Sequence, residues 1–189
     1  MIMSVLLGAS LTVPALRALD FKPEYITTEV EDGFRNVEVM LNDVGSHVLY
    51  CPPASWQAEE GERYLRFHPP GVSLADLTID SEKAPVGRAL DAEAAERCRA
   101  WLKASIPKES SDVVTEPDES NPGAVANCPT FATTVSYTHA GIRYRKRTTF
   151  VFAYDSNIRF TLVSRVTDFE RLYPAVRQSL FSWRWEAAN

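Results

Sequence analysis

The sequence is poor in the residues from which catalytic and metal centres are built. Three histidines, three cysteines and eight glycines are spread over 189 residues. His47, His68 and His139 fall into no HExxH, HxxEH or HxH spacing, so a metal would need ligands converging from separate strands. There is no G-x-S-x-G elbow to present a serine nucleophile and no glycine-rich loop to cradle a phosphate. Cys51, Cys98 and Cys128 are 47 and 30 residues apart, which matches no zinc pattern. A basic surplus is missing too. The net charge of -5 disfavours non-specific binding to nucleic acid or anionic membrane, both of which reward a cationic face. These absences predict no enzyme, no cofactor, no metal and no nucleic-acid partner.

What is present suits a folded domain. Hydrophobic residues make up 45% and aromatics 11%, and the length fits one core. Met1 to Leu16 carries no charge before Arg17. The run is too short for a membrane-spanning helix of about 20 residues, so no transmembrane helix is expected. It has the length of a secretory apolar region, with small residues near Ala15 and Ala18 for cleavage, although no basic residue precedes it. Residues 1-18 therefore read as an apolar leader and 19-189 as a single domain, periplasmic or secreted. The alternative is a cytoplasmic protein whose first element packs into the core. In an oxidising compartment Cys51 or Cys98 could bridge to Cys128. Cys98 reads more simply as a small buried hydrophobe on a helix.

Local patterning predicts an α+β fold. Tyr25 to Glu31 and Arg35 to Leu41 flank Asp32-Gly33, a hairpin signal. Ser46 to Tyr50 forms the next strand, and Pro52-Pro53 ends its pairing, with Trp56 folding back as a plug. Arg63 to His68 and Leu74 to Asp80 follow, with Leu77 and Ile79 on one face and Asp76, Thr78 and Asp80 on the other. Asp91 to Ile106 has a helical stripe of Ala94, Cys98, Trp101, Leu102 and Ile106, capped by Asp91 and stopped by Pro107. Asp112 to Thr115 reads as a strand and Glu116 to Pro129 as a long surface loop. Three strands then form a meander: Phe131 to Tyr137, Tyr144 to Tyr154 and Ile158 to Val166. A Thr167/Glu170 capping box leads the final helix, and Pro174 is expected to open its main segment.

Two stretches carry a resemblance. Tyr50 to Trp56 (Y-C-P-P-A-S-W) resembles the strand, proline, small residue, tryptophan entry of the PsbP-like superfamily, which includes PsbP proteins and bacterial DcrB-like proteins. Asp168 to Trp183 resembles that family's last helix and the serine-aromatic after it. The resemblance spans about residues 35 to 185, and the N-terminal hairpin and the proline-rich loop depart from it. It implies an antiparallel β-sheet sandwiched by helices, an α/β/α arrangement. It also implies a scaffolding or binding role without shared catalytic residues.

Candidate contact residues come from the polar pattern. Arg143, Arg145 and Arg147 share one strand face, Tyr144 and Lys146 the other, and Arg159 and Arg165 are expected to extend the arginine patch from the neighbouring strand. The alternative is a solvated face whose cations pair with the chain's own acids. Trp183 and Trp185, at strand spacing, are candidate anchors or simply core. The leading expectation is thus an exported, non-enzymatic domain that binds a protein partner through Arg143, Tyr144, Arg145, Arg147, Arg159, Trp183 and Trp185. A second is a small-molecule or lipid carrier, with a cavity lined by Trp101, Phe150, Phe152 and Val176. A third is a cytoplasmic chaperone for an apolar segment.

Overall fold

The computed structural model describes residues 19-29, 35-43, 46-83, 90-123, 125-153 and 156-187. The leader, the Asp32-Gly33 turn and the Val44-Gly45 turn lie outside these residues. Two antiparallel sheets and two helices make up the α+β fold. The smaller sheet runs β1 (Glu24–Glu29), β2 (Arg35–Asp43), β3 (Ser46–Tyr50) and β12 (Arg184–Ala187). The larger has β4 (Gln57–Glu60), β5 (Tyr64–His68), β6 (Asp76–Lys83), β11 (Ser156–Arg165), β10 (Ile142–Phe152), β9 (Thr130–His139) and β7 (Ser111–Thr115) in spatial order. A short β8 (Glu119–Ser120) also pairs with β9.

Strand alternation gives the large sheet two unlike faces. One face carries Leu65, Ile79 and Phe160 in register across β5, β6 and β11, with Phe67, Leu77 and Leu162 beside them. This face packs against α2 (Val166–Leu180) through Phe169, Leu172, Val176 and Leu180, and against Val39, Leu41, Val48 and Tyr50 of the smaller sheet. Together they form the main core. Tyr50 sits at its centre, fully buried, 5.8 Å from the Phe67 ring and 5.8 Å from Trp183. Its hydroxyl donates to Ser179 Oγ at 2.9 Å, so this buried phenol is satisfied, whereas the buried Trp183 indole N–H beside it has no hydrogen-bond partner among the described residues. Helix α1 (Ala92–Ala104) covers the opposite face, where Ala94, Ala95 and Cys98 meet Phe131, Phe150 and Phe152. Asp91 caps it as expected, accepting from the Ala94 amide at 2.7 Å.

Several local expectations need correction. Glu116 to Pro129 is a laced strap, not a free surface loop. Within it β8 pairs with β9, Val125 is fully buried, and Thr130 Oγ1 donates to the Gly123 carbonyl at 2.6 Å. Its polar composition hides one apolar plug, and the plug decides where it lies. The Thr167/Glu170 capping box does not form. β11 runs straight into α2, so Arg165 takes the cap position and Thr167 is already helical, with no side-chain cap bond. Pro174 lies inside α2. It and Glu170, whose carbonyl loses the missing amide, are both exposed, so water can take the carbonyl. β4 was not expected; it adds an exposed edge right after Trp56, which packs against the core.

Candidate functional site

The sequence places Arg143, Arg145 and Arg147 on one face of β10, and the structure puts that face under α2 and the strap. Arg145 donates to Glu116 at 2.6 Å and to Glu170, and its guanidinium lies 4.5 Å from the Phe169 ring centroid. Arg147, 7% exposed, donates to Glu119 at 2.9 Å and Thr134 at 3.2 Å and stacks 4.9 Å from the Tyr173 ring. Arg143 reaches the Asp112 carbonyl of β7 at 2.7 Å. These cations tie sheet, strap and helix together.

Arg159 and Arg165 do not extend that patch. Arg159 is the register partner of Phe150, and Arg165 of Tyr144, so both occupy the other face of the sheet. Residues directly opposite on antiparallel strands share a face, and this register cannot be read from either strand alone. Tyr144 stacks on Tyr137 there at 5.6 Å. Trp183 is 1% exposed and sits in the main core, 5.1 Å from Phe160. Trp185 is half-buried and meets Trp183 edge-on at 6.0 Å.

The α1 face holds the most developed site. Register places Tyr64, Asp80, Arg159, Phe150 and Phe131 in one row across five strands. The next row is Arg66, Thr78, Thr161, Thr148 and Thr133. Helix α1 covers the aromatic end of the first row and leaves its charged end open. Trp101 stands at the boundary: it packs edge-on against Phe150 at 5.7 Å, and the Arg159 guanidinium lies 4.4 Å from its ring. Beneath α1 lies a cavity of about 190 Å³ walled by Ala94, Cys98, Trp101, Phe150 and Phe152. Lys83, Arg97, Asn157, Arg159 and Glu82 complete its lining. It shares Glu82, Lys83, Trp101 and Arg159 with a more open groove of about 880 Å³ that runs along Tyr64, Thr78 and Asp80. Three residues of the expected carrier cavity, Trp101, Phe150 and Phe152, therefore line one. Val176 does not, because it faces the main core across the sheet.

Burial shapes the chemistry of this floor. Arg159 donates to Asp80 and, at 2.9 Å, to Glu82. Burial raises the Asp80 carboxyl above its usual range, and Arg159 only partly offsets this. Lys146 is 8% exposed and donates to the Ser105 hydroxyl at 2.7 Å and its carbonyl at 3.0 Å, pinning the end of α1 to the sheet. Burial lowers its pKa to about 8 against the pull of Asp76 and Asp80. Cys98 is pushed up to about 11 by burial, so its thiol stays protonated and unreactive near neutral pH. Ionisable groups do gather here, but they are engaged with one another and with backbone. Among the described residues, no three of His, Cys, Asp and Glu gather as metal ligands would, and no helix is long and apolar enough to cross a membrane.

Sequence reasoning missed Asp80, Lys146 and Asn157 as neighbours. The alternation in β6 and β10 marked Asp80 and Lys146 as sharing faces with polar residues. Only the pairing of β11 between those strands brings them together.

No protein-family model and no curated protein matches the chain's sequence. Solved structures do match its fold. The crystal structure of LpqN, involved in cell envelope biogenesis of Mycobacterium tuberculosis, aligns with a TM-score of 0.54 at 10% identity, covering 87% of this chain and 91% of that one. The solution structure of cyanobacterial PsbP (CyanoP) from Synechocystis sp. PCC 6803 aligns with a TM-score of 0.50 at 11% identity, covering 96% and 99%. The fold is PsbP-like.

Proposed function

We propose that this protein is an exported, non-catalytic binding domain that takes a small ligand into the cleft between α1 and the sheet. One observation carries the reading: a pocket under α1, with one apolar wall and one polar wall, opens onto a row of fixed charged side chains. A preformed, mostly apolar hollow with a few convergent polar groups is the usual form of a small-molecule site. The engaged state of Asp80, Arg159 and Lys146 favours holding over bond-making, since a general acid or base must exchange its proton with substrate. Export is supported by the apolar Met1 to Leu16 run and by the likeness of fold to an envelope-biogenesis protein. Recovered from its native host, the mature chain is expected to lack about the first 18 residues, the length of a cleaved leader. Mass spectrometry showing Met1 retained overturns export.

The cleft is tested by amide NMR of the folded domain with a mixture of small metabolites. Shifts are expected at Trp101, Phe150, Phe152 and Asn157. Ala94→Leu, which fills the cavity from α1 at an overpacking cost of about 1–3 kcal/mol, should abolish them while the fold persists. A protein partner is the second reading, and the edge strand β7 favours it. All five of its residues are exposed, with Val113 at 48% and Val114 at 53%, and an added strand could pair there. If an envelope extract moves β7 amides and leaves the cleft silent, the second reading replaces the first.

A further inference from the structure

We propose that the cleft selects a small aromatic acid that also carries a hydroxyl group; this deepens the cleft reading and rests on it.

Size sets the first limit. An engineered cavity of about 150 Å³ accommodates benzene. The 190 Å³ hollow under α1 suits a single substituted ring. Its walls set the second limit. Trp101 and Phe150 meet edge-on, and Phe152, Ala94 and Cys98 add no ionised group near neutral pH. Aromatic rings prefer such tilted or offset neighbours, so a planar ring gains contact that a branched chain would not.

Charge sets the third limit. Three cations, Lys83, Arg97 and Arg159, line the hollow against one carboxylate, Glu82. Arg97 is paired with Glu93, and Arg159 with Asp80 and Glu82. Lys83 makes no ion pair among the described residues, and it is the last residue of β6, at the edge of the hollow. A carboxylate there gains a charge-assisted bond, and a cationic ligand meets repulsion.

Asn157 sets the last limit. Its side-chain oxygen is buried and has no hydrogen-bond partner among the described residues, and the residue lines the hollow. A buried amide atom without a partner costs about 1–3 kcal/mol, and a ligand group that supplies one recovers it. A hydroxyl both donates and accepts, so it satisfies either end of the amide.

The test compares 4-hydroxyphenylacetate, phenylacetate and tyramine by calorimetry and amide NMR on the folded domain. The ring is common to all three, the hydroxyl is absent from the second, and the charge is reversed in the third. We expect 4-hydroxyphenylacetate to bind tightest, with phenylacetate weaker by about tenfold, the value of one hydrogen bond. Tyramine should be weaker by at least about tenfold through lost pairing and repulsion. Lys83→Gln, a surface change, should weaken 4-hydroxyphenylacetate by about three- to tenfold and leave tyramine no weaker than before, since the change removes a like charge. Tyramine binding as tightly as the acids, or all three failing while a metabolite mixture still moves the cleft amides, overturns the ligand class and leaves the cleft reading standing. Silence of the cleft toward every compound overturns both.

Discussion

Trp183→Ala should lower the unfolding free energy by about 3–5 kcal/mol, the range for deleting a large aromatic from a packed core. The side chain is 1% exposed and touches Tyr50 of β3 and Phe160 of β11 from the turn between α2 and β12, with Trp185 of β12 beside it, so its loss opens a void that three separate elements border. Those elements are held apart by their own backbone pairing and cannot collapse far into the space. Trp185→Ala should cost much less, about 1 kcal/mol, because Trp185 packs only against the border of the core. Urea unfolding followed by far-UV circular dichroism measures both. A surface anchor for a partner would leave stability nearly unchanged. A loss below about 1 kcal/mol at Trp183 would remove the tryptophan from the core and return it to the surface role.

Asp80→Ala is expected to destabilise by about 2–4 kcal/mol, because Arg159 would keep its charge in a site that is 13% exposed for its own side chain and would retain only Glu82. Replacing both partners, Asp80→Leu with Arg159→Met, should restore most of that loss, since two apolar groups of similar size have no desolvation penalty to offset. A double variant as weak as the single one would mean that the pair is structurally required and not merely mutually neutralised. The same unfolding curves taken at several pH values report Lys146. Its pKa is depressed to about 8 in the folded state from 10.5, so its contribution is present at alkaline pH and is lost as pH falls through 8. Stability should therefore rise by about 1 kcal/mol between pH 7 and pH 9. Cys98, raised to about 11 from 9.0, acts in the opposite sense as the unfolded thiol ionises, and offsets about 0.4 kcal/mol of that rise by pH 9. In Asp80→Ala the rise should begin at lower pH, because Asp80 helps hold the lysine protonated.

Much of the fold is legible in the chain because it follows from local rules. The two-residue alternation around Leu77 and Ile79, the helical stripe through Ala94, Cys98 and Leu102, and the Asp91 cap need no distant information. The PsbP-like order of elements was readable for the same reason. The misreadings have a common cause. Pro174 and the Thr167/Glu170 pair obey local preference, which strand-to-helix continuity at Arg165 overrides. The strap from Glu116 to Pro129 has the composition of a loop, yet Val125 and the Arg147–Glu119 pair draw it onto the sheet.

By itself, then, the sequence determined both helices and most of the strands, which side of the core strands and helices is apolar, and that arginines alternate along β10, because side-chain spacing is set by backbone geometry. Only the tertiary structure decided that Arg159 belongs with Asp80 and Trp101 rather than with Arg145, that Trp183 is buried, and that a hollow opens beneath α1. Those facts depend on strand register and on which face each helix covers. Both are settled by contacts between residues far apart in the chain, and no local pattern records them.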